Sequence, residues 1–331
     1  VDRVIAVAPA DNGPVRFAAA TEADLAAFLA DFTGGRFDLA IVPRWDTDFN
    51  GALRIAGLSG AAAVVGFSEG CTDRKADHNR GDDAAYTTAF LTRAHAHEVE
   101  HNLRLLRALG GTVTDRRVRV DLTAADHDAA AGFVGAHFGP RPPPILAVAP
   151  FAVGRKEYPP ERTAALARRL ADRFGLGVAV IGSPEHAGAA AAFAAQVGPG
   201  AVAAAGRLGL REAAALIGRS VALLGMDSSP GHIAAAVGTP VAVLFANARG
   251  TSPEHVGAPA RFAPWGDAAL IRVFQPVAPV APVLVRGSRS APHGIAAIDA
   301  DAIDPALEAF VGEAVASRSG RRPAAHSGRQ R

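Results

Sequence analysis

The residues best suited to chemistry lie in the segment GMDSSPGHIAAAVGTPVAVLFA, residues 225–246. An apolar run ends at Gly225, and Asp227 and Ser228 form a turn. Ser229 is placed to cap the helix that follows, with Pro230 at its first position, where a missing N–H costs nothing. His232 then falls in the first helical turn. A helix N-terminus presents unbonded N–H groups and the positive end of the macrodipole, so this arrangement suits a phosphate. Local chemistry alone does not separate it from an ordinary capped helix in an α/β sheet.

Two other segments imitate metal sites. His97-Glu98-Val99-Glu100-His101 spells H-E-x-x-H on an expected helix, which would place both histidines on one face. A charged Glu100 intervenes, and no further glutamate follows before Glu157, so a third ligand is hard to supply. The segment reads as an amphipathic helix, and no metal is expected there. Asp46-Thr47-Asp48 follows an apolar run and imitates a metal-binding Asp-x-Asp; it too is read without a metal. Lysine is scarce: Lys75 and Lys156 are the only lysines among 34 basic residues, the rest being arginine.

These residues need a scaffold, and apolar periodicity supplies one. FDLAIVP (37–43) and AAVVGF (62–67) read as strands around a short helix at 51–58. Residues 86–109 read as a long amphipathic helix, with Leu103, Leu106 and Leu109 at helical spacing and Gly110-Gly111 ending it. RVRVDL (117–122) reads as a strand and 124–136 as a helix. The proline run GPRPPP (139–144) is extended and stiff, and the domain boundary is placed there. Beyond it, strands at 145–150, 177–182, 201–206, 221–225 and 240–246 alternate with helices at 160–174, 185–197, 210–219 and 230–237. Such alternation predicts a parallel, doubly wound sheet, and its continuously apolar strands predict cover on both faces. Ligands of such sheets sit beyond the carboxyl ends of the strands. Residues 315–331 lack periodicity and read as a disordered basic tail.

Composition sets the outer limits. A chain of 331 residues with 49% hydrophobic and 20% charged residues can bury two cores. A net charge of +2 creates no chain-wide field calling for nucleic acid. Cys71 is the only cysteine, so an internal disulfide is ruled out and a reducing, cytoplasmic setting is expected. The apolar stretch Ile233 to Ala248 is short for a membrane span and is broken at Gly238-Thr239-Pro240.

The segment 225–246 resembles the signature of glycosyltransferase family 9, the heptosyltransferase-like enzymes, with Asp227, Ser228, His232, Gly238, Pro240, Leu244 and Phe245 at matching positions. Ser229 and Ala246 stand where the family has glycine. VGRKEYPPERTAALARRLADRFGLGVAVIGSPEH (153–186) is similar to the family's Lys-Arg-Trp-Pro stretch, helix and strand, with Lys156 and Pro159 matching, Tyr158 in place of Trp, and Glu185 at the acidic position. GRLGLREAAALIGRS (206–220), TSPEHVG (251–257) and HEVEHNLRLLRALG (97–110) follow in family order, so the likeness spans nearly all of residues 1–312.

The resemblance implies a GT-B fold, two Rossmann-like doubly wound domains facing a cleft. Residues 1–140 would form the acceptor side, 141–300 the nucleotide-sugar side, 301–316 a helix packing back on the first domain, and 317–331 a tail. It implies inverting transfer of a sugar, heptose first, from a nucleoside-diphosphate donor such as ADP-heptose to a glycan or glycolipid hydroxyl. No further cofactor is expected, and contact with the membrane would be peripheral, at its inner face. Lys156 would neutralise the diphosphate with Ser228, Ser229 and the helix N-terminus, Asp227 and His232 would orient nucleotide or sugar, and Glu185 would sit at the nucleotide. Asp46-Thr47-Asp48 would belong to an acceptor loop. The family's first strand, Gly-Asp loop and helix, which carry its catalytic base, find no match here. The N-terminal domain is therefore expected to be incomplete by roughly 50–60 residues, the length of two βα units; the alternative makes Asp11 the base. Two other functions stay open: a sugar-nucleotide-binding relative without turnover, and a sugar-nucleotide 2-epimerase.

Overall fold

The computed structural model describes residues 37–253, 255, 257–277, 294–318 and 320. Asp11, the expected opening strand and nearly all of the basic tail lie outside the described residues. The chain divides into two compact units, Val1–Thr114 and Asp115–Arg331.

In the first unit, β1 (Leu39–Val42), β2 (Ala63–Phe67) and β3 (Thr88–Phe90) form a parallel sheet in the order β1-β2-β3. Helix α1 (Ala52–Leu58) starts where the Asp48 carboxylate accepts from the Leu53 and Asn50 N–H groups. Val42, Leu53, Ala56 and Val64 form the core beneath it. Helix α2 (Asp73–His78) is capped by Thr72, whose hydroxyl accepts from the Lys75 N–H. The long helix expected at 86–109 is corrected here: only α3 (Glu98–Ala108) is helical, and the stretch ahead of it contributes β3. Tyr86, Thr87 and Thr88 are aromatic or β-branched, types that fit a pleated surface better than a helix.

In the second unit, β4 (Ile145–Ala149), β5 (Gly177–Val180), β6 (Ala201–Ala203), β7 (Ala222–Met226), β8 (Val241–Leu244) and β9 (Ile271–Phe274) form a fully parallel sheet ordered β6-β5-β4-β7-β8-β9. That is the Rossmann order, with the strand sequence reversing direction between β4 and β7. Successive residues of β4 enter opposite cores, as period-2 geometry requires. Leu146 and Val148 join Leu166 and Leu170 of α5 (Pro160–Phe174) and Phe193 of α6 (Ala187–Val197). Ile145, Ala147 and Ala149 join Phe133 and Val134 of α4 (Ala124–Phe138) and Leu216 and Ile217 of α7 (Leu210–Arg219). Helix α8 (Ser229–Ala236) adds Ala234 to that second face.

Three features of the second unit depart from the sequence-based expectation. RVRVDL, residues 117–122, forms no strand. Helix α4 packs on α7 inside the second unit, so the unit boundary falls at Thr114 and the proline run becomes the internal link from α4 to β4. The last helix, α9 (Ala300–Arg318), buries Leu307, Phe310, Val311 and Ala314 in the second unit's own core. Arg318 donates to the Gly218 and Arg219 carbonyls, so the start of the expected tail is the anchored end of this helix. Among the described residues, no helix is long and apolar enough to cross a membrane.

Candidate functional site

The carboxyl ends of β4, β5, β7 and β8 carry the polar loops of the second unit. Past β4, residues Pro150–Pro159 make one tight turn at Gly154–Lys156. Tyr158 anchors this loop: it is fully buried, and its hydroxyl donates to the Ile298 carbonyl at 2.8 Å. That anchor explains why an aromatic with a polar tip stands two residues from Lys156.

Lys156 reaches across to the loop after β7, where its ammonium lies 2.5 Å from Asp227 Oδ2. The two sides of the pair differ: the lysine side chain is 42% exposed and the aspartate 7%. Asp227 is held from behind, its N–H donating to the Leu244 carbonyl at the end of β8. Lys156 and Asp227 were singled out separately in the sequence, and the fold joins them.

The cap of α8 shifts by one residue from expectation. Ser228, in extended conformation, is the cap, Ser229 opens the helix, and Pro230 takes its second position. Pro230 offers no N–H, and the Gly231 N–H turns back to the Ser228 carbonyl at 3.1 Å. This helix end therefore offers fewer backbone donors than the sequence suggested, leaving the hydroxyls of Ser228 and Ser229 and the dipole. Ser229 and His232 are exposed, and Ser228 is half-buried.

Past β5, Glu185 is exposed on the single turn Pro184–His186. The Ser183 hydroxyl bonded to its carboxylate holds it below the usual carboxylate range. Past β8, the chain folds back toward Asp227. A side chain at Gly257 would come within 3.9 Å of both Asp227 Oδ2 and Asn247 Nδ2, and the backbone there is left-handed (φ 87°). The Asn247 amide pairs with His255 Nδ1 at 2.9 Å, and Gln275 donates to the Asn247 carbonyl at 2.7 Å. Sequence reasoning gave no role to Asn247 or His255, which pair with each other in this loop.

The two metal-like segments, both in the first unit, have local explanations. His97 caps α3, its Nδ1 accepting from the Val99 N–H, while His101 is buried in a stack on Trp45 with ring centroids 4.2 Å apart. Asp48 holds the start of α1, and Asp46 accepts from the Thr47 N–H. Among the described residues, no three His, Cys, Asp or Glu side chains are grouped as metal ligands. The first unit also holds a group that sequence reasoning did not interpret. Lys75 is 1% exposed, and its ammonium donates to the carbonyls of Arg44, just past β1, and Phe67, the last residue of β2, at 2.6 and 2.7 Å.

Among solved structures, the chain is similar to a family 9 glycosyl transferase from Veillonella parvula, with TM-score 0.65 and 18% identity over 88% of this chain and 78% of that one. It is similar to E. coli ADP-heptose LPS heptosyltransferase II, with TM-score 0.57 and 16% identity over 88% and 80%. It is also similar to an E. coli heptosyltransferase solved with ADP, with TM-score 0.58 and 15% identity over 87% and 78%. These likenesses give the fold as GT-B. No curated protein matches the chain in sequence. The sequence profile of glycosyltransferase family 9 (heptosyltransferase) matches residues 49–273, which include Lys156, Glu185, Asp227 and α8. The match spans more than half of the chain, and the chain therefore belongs to glycosyltransferase family 9.

Proposed function

We propose that this glycosyltransferase moves a sugar, heptose first among the candidates, from a nucleoside-diphosphate donor to a hydroxyl of a glycan or glycolipid, with inversion at the transferred carbon. The observation that carries this reading is the Lys156–Asp227 pair at the carboxyl edge of a Rossmann-ordered sheet. A half-exposed ammonium held by a buried carboxylate is fixed in place and keeps N–H donors for a ligand. A departing diphosphate gains negative charge as the glycosidic bond breaks, and a preset cation stabilises that charge more in the transition state than in the ground state. Ser228 and Ser229 add hydroxyl donors, α8 adds its dipole, Asp227 and His232 orient the donor, and Glu185 faces the nucleotide. Two similar structures are E. coli heptosyltransferases with ADP and with ADP-2-deoxy-2-fluoro heptose, so ADP-heptose is the first donor to try. A glycolipid acceptor would bring the chain to the inner membrane face as a peripheral protein.

The test is calorimetric titration with ADP, followed by transfer assays with a nucleotide-sugar panel on glycan and glycolipid acceptors. We expect ADP to bind, and transfer from ADP-heptose is the result that carries the enzyme reading. ADP binding without transfer from any donor supports the second reading, a sugar-nucleotide-binding relative; release of an epimerised nucleotide sugar supports the third. Asp11→Asn in the same assay should leave transfer unchanged. A loss of about 10²-fold or more would make Asp11 the general base.

A further inference from the structure

The same carboxyl edge holds an aromatic pair that the proposed chemistry does not use. Phe151, in the loop after β4, and His186, ending the turn after β5, stack with ring centroids 4.5 Å apart and planes 7° from parallel. Both are half-buried. The back of the pair is closed: a Cβ at Gly182 would sit 3.0 Å from the Phe151 ring, 3.1 Å from His186 Cβ and 3.2 Å from Ala205 Cβ. The imidazole is fixed by Ser183 Oγ at 2.9 Å from its Nδ1. Ser183 also bonds the Glu185 carboxylate, so one hydroxyl links the stack to the acidic residue beside it. The β4 loop that carries Phe151 runs on to Lys156 and its contact with Asp227.

The order along the sheet edge has chemical meaning. β5, β4 and β7 are neighbours, and two strand spacings amount to about 10 Å. Across them lie, in turn, the aromatic stack with Glu185, then Lys156, then Asp227 and the start of α8. A nucleoside diphosphate presents an aromatic base, a ribose with two hydroxyls, and a charged diphosphate in the same order. A rigid, partly open aromatic face at one end of a cation site suits the base, because every base has a π-face and stacks on aromatic side chains. We infer that the Phe151–His186 stack is the nucleobase platform of the donor site. This inference rests on the nucleoside-diphosphate reading above.

The experiment titrates ADP, UDP and inorganic pyrophosphate into the wild-type chain and into Phe151→Ala, His186→Ala and His186→Phe. The two alanine variants should weaken nucleotide binding by roughly 5- to 100-fold, the range for one base stack. They should leave pyrophosphate affinity as it is, since pyrophosphate has no base. His186→Phe keeps a ring in place and should retain most of the nucleotide affinity. Nucleotide affinity unchanged in both alanine variants overturns the platform while leaving the proposed function standing. A parallel loss of nucleotide and pyrophosphate also overturns it, because the stack would then only support the Lys156 loop. If the wild-type chain binds neither nucleotide nor pyrophosphate, the donor-site reading itself falls and the platform falls with it.

Discussion

The two units each place one lysine at the carboxyl edge of a parallel sheet, and the two are used in opposite ways. Lys75 in the first unit is 1% exposed and ties the carbonyls of Arg44, just past β1, and Phe67, the last residue of β2. Lys156 in the second unit is 42% exposed along its side chain and meets one buried carboxylate. In a chain with 34 basic residues and only these two lysines, a compact ammonium occurs where a forked guanidinium would not serve. A buried ammonium bonded to backbone fixes the loops around it. A half-exposed one bonded to a carboxylate is positioned and can still meet a ligand. Position at a strand's carboxyl end is therefore not enough to mark a binding residue; exposure and partner type decide.

The largest effect expected from this contrast is on stability. Lys75→Met leaves the Arg44 and Phe67 carbonyls without their donor, and a buried unsatisfied group costs about 1–3 kcal/mol. Denaturant unfolding should show a loss of ~3 kcal/mol, part of the carbonyl penalty being offset because the buried charge is gone as well. Lys156→Ala in the same measurement should cost less, about 1–2 kcal/mol, because the half-exposed side of the pair lets solvent screen the Asp227 charge left behind. Equal losses in the two variants would break the comparison.

Ligand binding should reverse the ranking. Lys156→Ala is expected to weaken ADP binding by ~1.5–3 kcal/mol, the range for a hydrogen bond to a charged group. Calorimetry on the folded variant measures this directly, and an unchanged affinity would remove Lys156 from the site. Lys75→Met, assayed well below its unfolding midpoint, should bind ADP as the wild type does, because its contacts lie in the other unit.

The same contrast shows what could be read in the sequence. The second unit was legible because its strands are continuous apolar runs and its helices begin and end at Gly, Pro and Ser. Helix α7 has the expected bounds, Leu210–Arg219. Short elements whose structure depends on a distant partner were misread. β3 is three residues long and, among the described residues, pairs only with β2, so no local period announces it. β9, which includes Arg272, was missed for the same reason. RVRVDL alternates like a strand, yet Val118 is 42% exposed and no sheet among the described residues receives it. At the site, Lys156 and Asp227 were visible one by one through the family resemblance. The Phe151–His186 stack was not, because it joins residues 35 positions apart on loops after neighbouring strands.

The smallest predicted effect concerns pH and tests whether Lys75 is as buried as its contacts imply. Burial lowers the Lys75 pKa below its ordinary 10.5, because desolvation disfavours the ammonium. The folded chain then gives up this proton at a lower pH than the unfolded chain. Between that lowered value and 10.5 the unfolded state binds more protons, so this group makes stability rise with pH. Burial pushes the neighbouring Cys71 thiol above its ordinary 9.0, for the opposite charge type. Above 9.0 the folded chain keeps a proton that the unfolded chain has lost, so this group makes stability fall with pH. The two trends oppose each other in the wild type, and each variant exposes one of them. Cys71→Ser should leave the rise due to Lys75, and Lys75→Met should leave the fall due to Cys71. The Tyr86 hydroxyl, whose pKa burial also raises, is common to both variants and cancels in their difference. Urea unfolding at several pH values from 9 to 10.5 should show the two stability curves diverging, by no more than about 1.4 kcal/mol per pH unit for each proton. Parallel curves would mean that Lys75 titrates as it does in water, and the buried half of the comparison would fail.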